Sequence, residues 1–447
     1  MIGQDELKNL ADRAIEMSQA EQTEVVVVAP HSSLTRFANN YIHQNVEQQD
    51  LDVRVRSVVG KKIGVASSND TSDEGLKNVV DRALNLARHQ RDNADFHSLP
   101  SPQPIQEVEV YVEATARTGP EERAAVVGQI CDASSRAGLT AAGAFRTAAT
   151  EIVIANSLGV FAYQRDTLAD INTVVMSDHG SGHAERVSPD VGDIDGEAVA
   201  KEAIDTALIN INQIEIEPGE YDVVFQEYAV ADILDFFGYL SFGAQAYQEK
   251  RSFMAGRIGE QVMGESITLY DDGLSLESSP NPFDYEGVPR KPVTFVENGV
   301  AKGVVWDTYT AGKDAEDRES TGHALPAGST FGPIPSNMFL TTGDATIDEM
   351  VESTKKGIFV SRFWYTRPVH PLNVVVTGMT RDGTFLIEDG KITSPVKNLR
   401  FTQSYLEAMN RVEAIGKETM LHQAIAGVSR IPALKIAKWT FTGVSEY

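Results

Sequence analysis

The chain runs through one order twice: helix, three strands, helix. The first run spans residues 5–90 and the second residues 118–212. Strands that follow one another without an intervening helix pair as antiparallel hairpins, and their helices gather on one face. This order therefore predicts an α+β fold and argues against a doubly wound parallel sheet. In the first run Leu7, Leu10, Ala11, Ala14 and Ile15 recur at helical spacing. Residues 23–29 are a β-branched apolar stretch, a buried strand by length. Residues 52–58 alternate strictly, as a half-buried strand does, and 61–66 give a third. Thr71 and Ser72 ahead of Asp73 and Glu74 mark the start of a helix that continues to about residue 87.

Pro100, Pro102 and Pro104 make an extended linker near 92–106. The second run then offers a helix over 120–136, strands within 139–165 and 170–176, and a helix over 195–210. The two runs share order but not sequence. After Pro218-Gly219-Glu220 the texture changes. One helix, about 227–248, leads into turn-rich strands with hairpins at Asn298-Gly299 and Asp389-Gly390, and a late helix over 404–414. The expected organisation is an N-terminal α+β domain, 1–215, built on an antiparallel sheet with flanking helices. A C-terminal domain, 216–447, would be built on a large antiparallel sheet or barrel.

Charge narrows the partners. Lys and Arg number 39 against 64 Asp and Glu, a net charge of −25. Such a chain is repelled by phosphate backbones and anionic lipid, which argues against direct nucleic-acid or membrane-surface binding. The single cysteine, Cys131, cannot form an intrachain disulfide and reads as a buried small hydrophobe. No stretch approaches about 18 apolar residues, the length of a membrane span. The opening Met1-Ile2-Gly3-Gln4-Asp5-Glu6 has no basic-then-apolar signal, so the expected location is cytoplasmic.

Familiar catalytic motifs are missing. There is no Gly-x-Ser-x-Gly elbow, no phosphate-binding Walker loop and no Gly-x-Gly-x-x-Gly fingerprint. None of the nine histidines is followed by Glu, which excludes His-Glu-x-x-His and its longer relatives. His179 and His183 stand four apart, but Gly180 and Gly182 oppose a helix there, and the stretch reads as a solvent loop. His323, in a polar loop, reads as a structural histidine. Asp314, Glu316, Asp317, Arg318 and Glu319 read as a solvated face. Asp284 and Glu286 would share a face on a strand and could act as an acid pair. In a turn they would be solvated, which is the preferred reading.

Four stretches of the C-terminal half carry a likeness to a known family. Ile267-Thr268-Leu269-Tyr270-Asp271-Asp272 precedes Pro282-Phe283-Asp284-Tyr285-Glu286-Gly287. Residues 295–305 turn at Glu297-Asn298-Gly299. Ser320-Thr321-Gly322-His323 precedes Pro333-Ile334-Pro335-Ser336-Asn337. Lys356-Gly357-Ile358-Phe359-Val360 precedes residues 385–397. In the N-terminal half Arg36-Phe37-Ala38-Asn39-Asn40, Val53-Arg54-Val55 and Ile63-Gly64-Val65-Ala66 keep the same order. Together these resemble the TldD/PmbA family, historically called modulators of DNA gyrase.

The resemblance implies a choice between two kinds of member. TldD-type members are zinc peptidases with His-Glu-x-x-x-His on the first helix of the C-terminal domain and a cysteine ligand near the C-terminus. PmbA (TldE)-type members lack the motif and pair with a TldD-type subunit. Here the motif would fall near Asp235, Phe236 and Leu240; that helix has no histidine, and no cysteine lies near the C-terminus. The likeness therefore implies a non-catalytic PmbA (TldE)-like subunit with no metal or cofactor of its own. Zinc would reside in a TldD-type partner. The assembly, a heterodimer or a homodimer, would process or degrade peptides and unfolded small proteins. Asp284, Glu286, His323 and Asn337 are the candidate cleft or peptide-binding residues. Two other readings stand beside this one. The first is a self-sufficient hydrolase with Asp284, Glu286 and His323 as first suspects. The second is a binding or scaffold protein acting on gyrase.

Overall fold

The computed structural model describes residues 1–315 and 318–445. Its N-terminal part opens with helix α1 (Gln4–Met17). Four strands follow, β1 (Gln22–Ala38), β2 (Tyr41–Gln49), β3 (Asp52–Val59) and β4 (Lys62–Ser68), and then helix α2 (Asp73–His89). Past the proline-rich linker come α3 (Glu113–Arg117), α4 (Pro120–Arg136), β5 (Thr140–Asn156), β6 (Phe161–Met176), β7 (Ser181–Ser188) and α5 (Gly196–Ile209). The two runs fuse into one antiparallel sheet of order β4-β3-β1-β5-β6-β7, with β2 beside β1. The seam is β1 against β5, paired from Glu24↔Asn156 to Phe37↔Gly143.

Local chemistry accounts for these elements. Ser72 caps α2 by accepting from the Gly75 amide, and Asp195 caps α5 through the Glu197 and Ala198 amides. Val25, Val27, Val53 and Val55 face α1 and α2 in one core. Val127, Ile130, Phe145, Ile171 and Val199 join a second core under α4 and α5. Cys131 belongs to that second core. The other face of the sheet, with Val26, Ile152 and Ile154, is covered by Phe283 from the C-terminal part.

The C-terminal part comprises β8 (Gly219–Phe225), α6 (Glu227–Leu240), α7 (Ala244–Gln248), β9 (Leu269–Asp271), β10 (Val293–Glu297), β11 (Val300–Ala301), α8 (Thr308–Asp314) and β12 (Met338–Leu340). It continues with α9 (Ile347–Glu352), β13 (Lys356–His370), β14 (Val375–Glu388), β15 (Lys391–Pro395), β16 (Leu399–Ser404), α10 (Tyr405–Ala408), β17 (Val412–Ala424) and β18 (Gly427–Val444). The sheet is mixed: β8 runs parallel to β13, and β12 parallel to β18. Because β8 also pairs with β18, the strands β8, β13, β14, β16 and β18 close into a ring. Aromatic rings fill it. Phe225 and Trp439 have centroids 4.8 Å apart, and Phe363 and Phe401 4.6 Å.

Several expectations need correction. The expected 227–248 helix is two, interrupted at Ser241-Phe242-Gly243; Phe242 turns inward and stacks on Phe295 at 4.2 Å. The late helix is a short one followed by a single tight turn, and strand β17 begins at Val412, inside the expected helix. Strand β2 was not foreseen. The stretch expected as a solvent loop around His179 and His183 is strand from Ser181 onward. Gly182 serves close packing there, since a Cβ would meet the Ala203 carbonyl of α5 at 2.1 Å. Of the mixed-charge stretch 314–319, Glu316 and Asp317 lie outside the described residues.

Candidate functional site

Helix α6 leaves the ring strand β8 and buries Ile233, Leu234, Phe237 and Leu240 in the C-terminal core. Its other side holds two half-buried carboxylates. Asp232 is fully engaged: Tyr405 Oη donates to Oδ1 at 2.7 Å, and Thr366 Oγ1 donates to Oδ2 at 2.6 Å. Asp235 accepts from the Ile425 amide. Burial pushes Asp232 up to about 6 and Asp235 up to about 7. Phe236 lies edge-on to Tyr405 with centroids 6.0 Å apart. Asp235, Phe236 and Leu240 therefore serve a packed helix.

Around α6 the N-terminal sheet meets the C-terminal part. Strand β7 contributes His183 and Glu185, and β17 contributes His422. His422 Nδ1 lies 2.5 Å from Glu185 Oε1, and His183 Nε2 lies 3.9 Å from Glu185 Oε2. Tyr228 of α6 accepts from the Glu185 amide at 3.2 Å and donates to Glu202 at 2.8 Å. Burial beside Arg362 pushes His183 down to about 4. Burial also works against a charged His422, but the Glu185 bond and charge together with Asp235 and Asp232 outweigh it and raise the imidazole above its ordinary value. Neither Glu185 nor His422 stood out in the sequence. They lie 237 residues apart, and only the fold brings them together.

The four cleft candidates gather elsewhere, in the loops against the other end of the N-terminal sheet. Asp271 and His323 are fully buried; Asp271 Oδ1 is 2.9 Å from His323 Nε2. Asp271 Oδ2 accepts from the Ser336 and Asn337 amides at 2.8 and 2.7 Å. Asn337 donates its side-chain amide to the Ser279 carbonyl at 2.8 Å. Asp284 does lie in a turn, but a buried one. Its carboxylate accepts from the Glu286, Val288 and Ala324 amides at 2.9, 3.0 and 2.8 Å. Burial, with Glu286 close by, pushes it up to about 7. Solvated was the wrong expectation for both acids: Glu286 is 6% exposed. It takes Arg56 Nη1 at 3.0 Å and the Thr308 amide at 3.1 Å. Arg56 also pairs with the buried Glu24.

Of the four candidates Glu286 lines a cleft of about 710 Å³, shared with Arg56, Gln245, Asp307, Tyr309 and Lys313. Asp284, His323 and Asn337 hold the cleft's loops from behind. The strict alternation of β3 could have pointed to Arg56, which lies on the face opposite Val53 and Val55.

These features define a class: an α+β protein whose N-terminal antiparallel sheet docks on a strand ring capped by one amphipathic helix. Family models for the PmbA/TldA metallopeptidase match in three consecutive pieces: domain 1 over residues 23–87, the central domain over 107–211 and the C-terminal domain over 218–443. The chain belongs to the PmbA/TldD family. Among relatives, the metalloprotease TldD homolog of Haemophilus influenzae is 26% identical over 268 residues, 57% of this chain and 55% of that protein. The chain thus spans about half the length of that relative. The metalloprotease PmbA homolog of the same organism is 22% identical over 439 residues, 93% and 92% of the two chains. The crystal structure of TldE from Thermococcus kodakarensis superposes with a TM-score of 0.88 at 20% identity, covering 98% and 100% of the two chains.

The family name implies a metal, and α6 is where the resemblance would seat it. The residues present do not fit one. Helix α6 carries neither His nor Cys, and Phe236 and Leu240 offer a metal no lone pair. Among the described residues no three His, Cys, Asp or Glu side chains are placed to hold a metal ion.

Proposed function

We propose that this chain is the non-catalytic, PmbA (TldE)-like member of a two-subunit peptidase whose TldD-type partner carries zinc. The observation that carries this reading is the state of α6. Where the resemblance places zinc ligands, near Asp235, Phe236 and Leu240, the helix has no histidine; it presents Asp235 beside a hydrophobic core, Phe236 edge-on to Tyr405 and a buried Leu240. Zinc sites take three or four His, Cys or carboxylate ligands, and Phe and Leu can supply none. In this reading the assembly processes peptides and unfolded small proteins in the cytoplasm. The chain contributes the cleft at Arg56 and Glu286 as one wall of the chamber. Backbone pairing at a sheet edge is a sequence-tolerant way to hold an extended peptide there.

The test is reconstitution. The chain alone, supplied with zinc, is expected not to cleave an unfolded protein such as casein. A TldD-type subunit from the same organism is expected to gain activity when the chain is added. Zinc-dependent hydrolysis by the isolated chain would overturn the reading.

A further inference from the structure

The outer wall of the ring carries a feature that the cleft and α6 do not use. From Arg362 to His370, strand β13 leaves regular pairing with β14. Its register shifts between Val360 and Arg362, between Trp364 and Arg367, and again between Pro368 and His370. Phe363 points into the aromatic core, while Trp364, Tyr365 and Val369 stand 46%, 65% and 56% exposed. Tyr365 holds φ of 55° and Val374, at the foot of the same arm, 46°. The left-handed region is costly for any side chain and most costly for a β-branched one, so the surrounding fold holds this arm in a strained shape.

Cations frame Trp364 and Tyr365. Arg362 and Arg381 lie 5.1 and 5.4 Å from the Trp364 ring, and Arg367 lies 4.6 Å from the Tyr365 ring. The register places Trp364 beside Met379 and Met379 beside Arg400, so exposed Arg400 extends the row. Asp382 answers Arg362, with Nε 2.7 Å from Oδ2, and stands only at 4.0 Å from Arg381. Among the described residues no carboxylate pairs with Arg367 or Arg400. On a chain of net charge −25 this is a local reversal of sign. Exposed Trp, Tyr and Arg are the residue types that anchor protein interfaces.

We propose that the Trp364–Tyr365 arm with Arg367, Arg381 and Arg400 is the docking surface for the companion subunit, which meets it with an apolar pocket rimmed by carboxylates. This rests on the two-subunit reading above. Three observations select the occupant. A second copy set across a twofold axis on this patch would oppose the arginines to themselves. The chain's overall charge repels nucleic acid and anionic membrane. Thr366, between Tyr365 and Arg367, donates to Asp232 of α6, so the arm is continuous with the helix that the companion's catalytic site would complement.

The experiment is titration of the full-length chain against a purified TldD-type subunit from the same organism, by calorimetry or interferometry. Trp364→Ala and the charge reversal Arg367→Glu, at an exposed position, are each compared with wild type. Each is expected to weaken the complex by about tenfold or more with an unchanged thermal midpoint, and wild-type affinity is expected to fall as salt rises. A complex that forms but ignores both variants overturns the surface while sparing the two-subunit reading. Failure of the wild-type chain to bind overturns that reading and the surface with it. Binding of the wild-type chain to single-stranded DNA or to phosphatidylserine vesicles, lost in the same variants, overturns the choice of occupant.

Discussion

His422 Nδ1 lies 2.5 Å from Glu185 Oε1, across the joint where strand β17 of the C-terminal part meets strand β7 of the N-terminal sheet. Burial is the largest influence on both and opposes their charge, but the bond and attraction between them, with Asp235 and Asp232 near the histidine and His183 and Arg362 near the carboxylate, together outweigh it. His422 is raised above its ordinary 6.5 and Glu185 lowered below its ordinary 4.5. The histidine's contribution to stability is complete below 6.5 and is lost as pH rises through its higher folded value. The carboxylate's contribution is complete above 4.5 and is lost as pH falls through its lower folded value. The pair is strongest between those limits. Replacing His422→Gln should cost roughly 1–3 kcal/mol near pH 6 and much less in alkali. Urea unfolding at both pH values checks this; an equal penalty at both would refute it.

His183, on the other side of Glu185, should behave in the opposite sense. Burial beside Arg362 holds it down at about 4, so its folded form resists a proton that the unfolded chain accepts. Its contribution is complete above 6.5 and is lost as pH falls from there toward 4. Exchange for Phe would keep an edge-on ring against Tyr228, whose centroid is 5.0 Å away. It would also remove the titration. Stability of His183→Phe should therefore fall less steeply with acid than wild type, by up to about 1.4 kcal/mol per pH unit over that window. Parallel acid-unfolding curves would exclude the assignment.

Arg56 answers two carboxylates from different parts of the chain, Glu24 on β1 and Glu286 in the C-terminal loops. Burial dominates Glu24 and pushes it up to about 7 despite the arginine. Removing the cation leaves two buried acids facing one another. Arg56→Met should cost about 3–5 kcal/mol. The triple change Arg56→Met, Glu24→Gln, Glu286→Gln should recover much of that loss, because no uncompensated charge remains. Guanidinium midpoints for the two variants provide the measurement, and additive losses would contradict the coupling.

What could be read from the sequence follows from how local each signal is. Helices α1, α2, α4 and α5 and strands β3, β5 and β6 carry their own periodicity, and α2 and α5 their own caps at Ser72 and Asp195, so their order and the α+β class were legible. Strand β2 was not. All nine of its residues are exposed, so no face alternates, and only backbone pairing with β1 makes it a strand. The ring closure depends on β8 pairing with both β13 and β18, which no local pattern encodes. The site divides the same way. Asp284 was legible as a turn residue, because Asp favours turns that bond its carboxylate to nearby amides. Its burial was not, because Ala324, its third donor, is 40 residues away.

His323 decides between the two-subunit reading and a self-sufficient hydrolase. Its ring is fully buried between Asp271 and Thr321, with Nδ1 2.9 Å from the Thr321 carbonyl, while the neighbouring Ala324 lines the cleft of Glu286. Burial lowers its proton affinity, while Asp271, helped by His323 and the Asn337 amide, is held below the usual carboxylate range. This arrangement fixes two loops to each other. His323→Ala should therefore destabilise the chain by roughly 2–4 kcal/mol, because Asp271 Oδ1 loses its buried partner. Association with a TldD-type subunit, and peptide cleavage per folded complex, should be unchanged. Calorimetric unfolding and cleavage corrected for folded fraction separate the outcomes. A variant that stays as stable as wild type but abolishes cleavage would place His323 in the chemistry and restore the hydrolase reading.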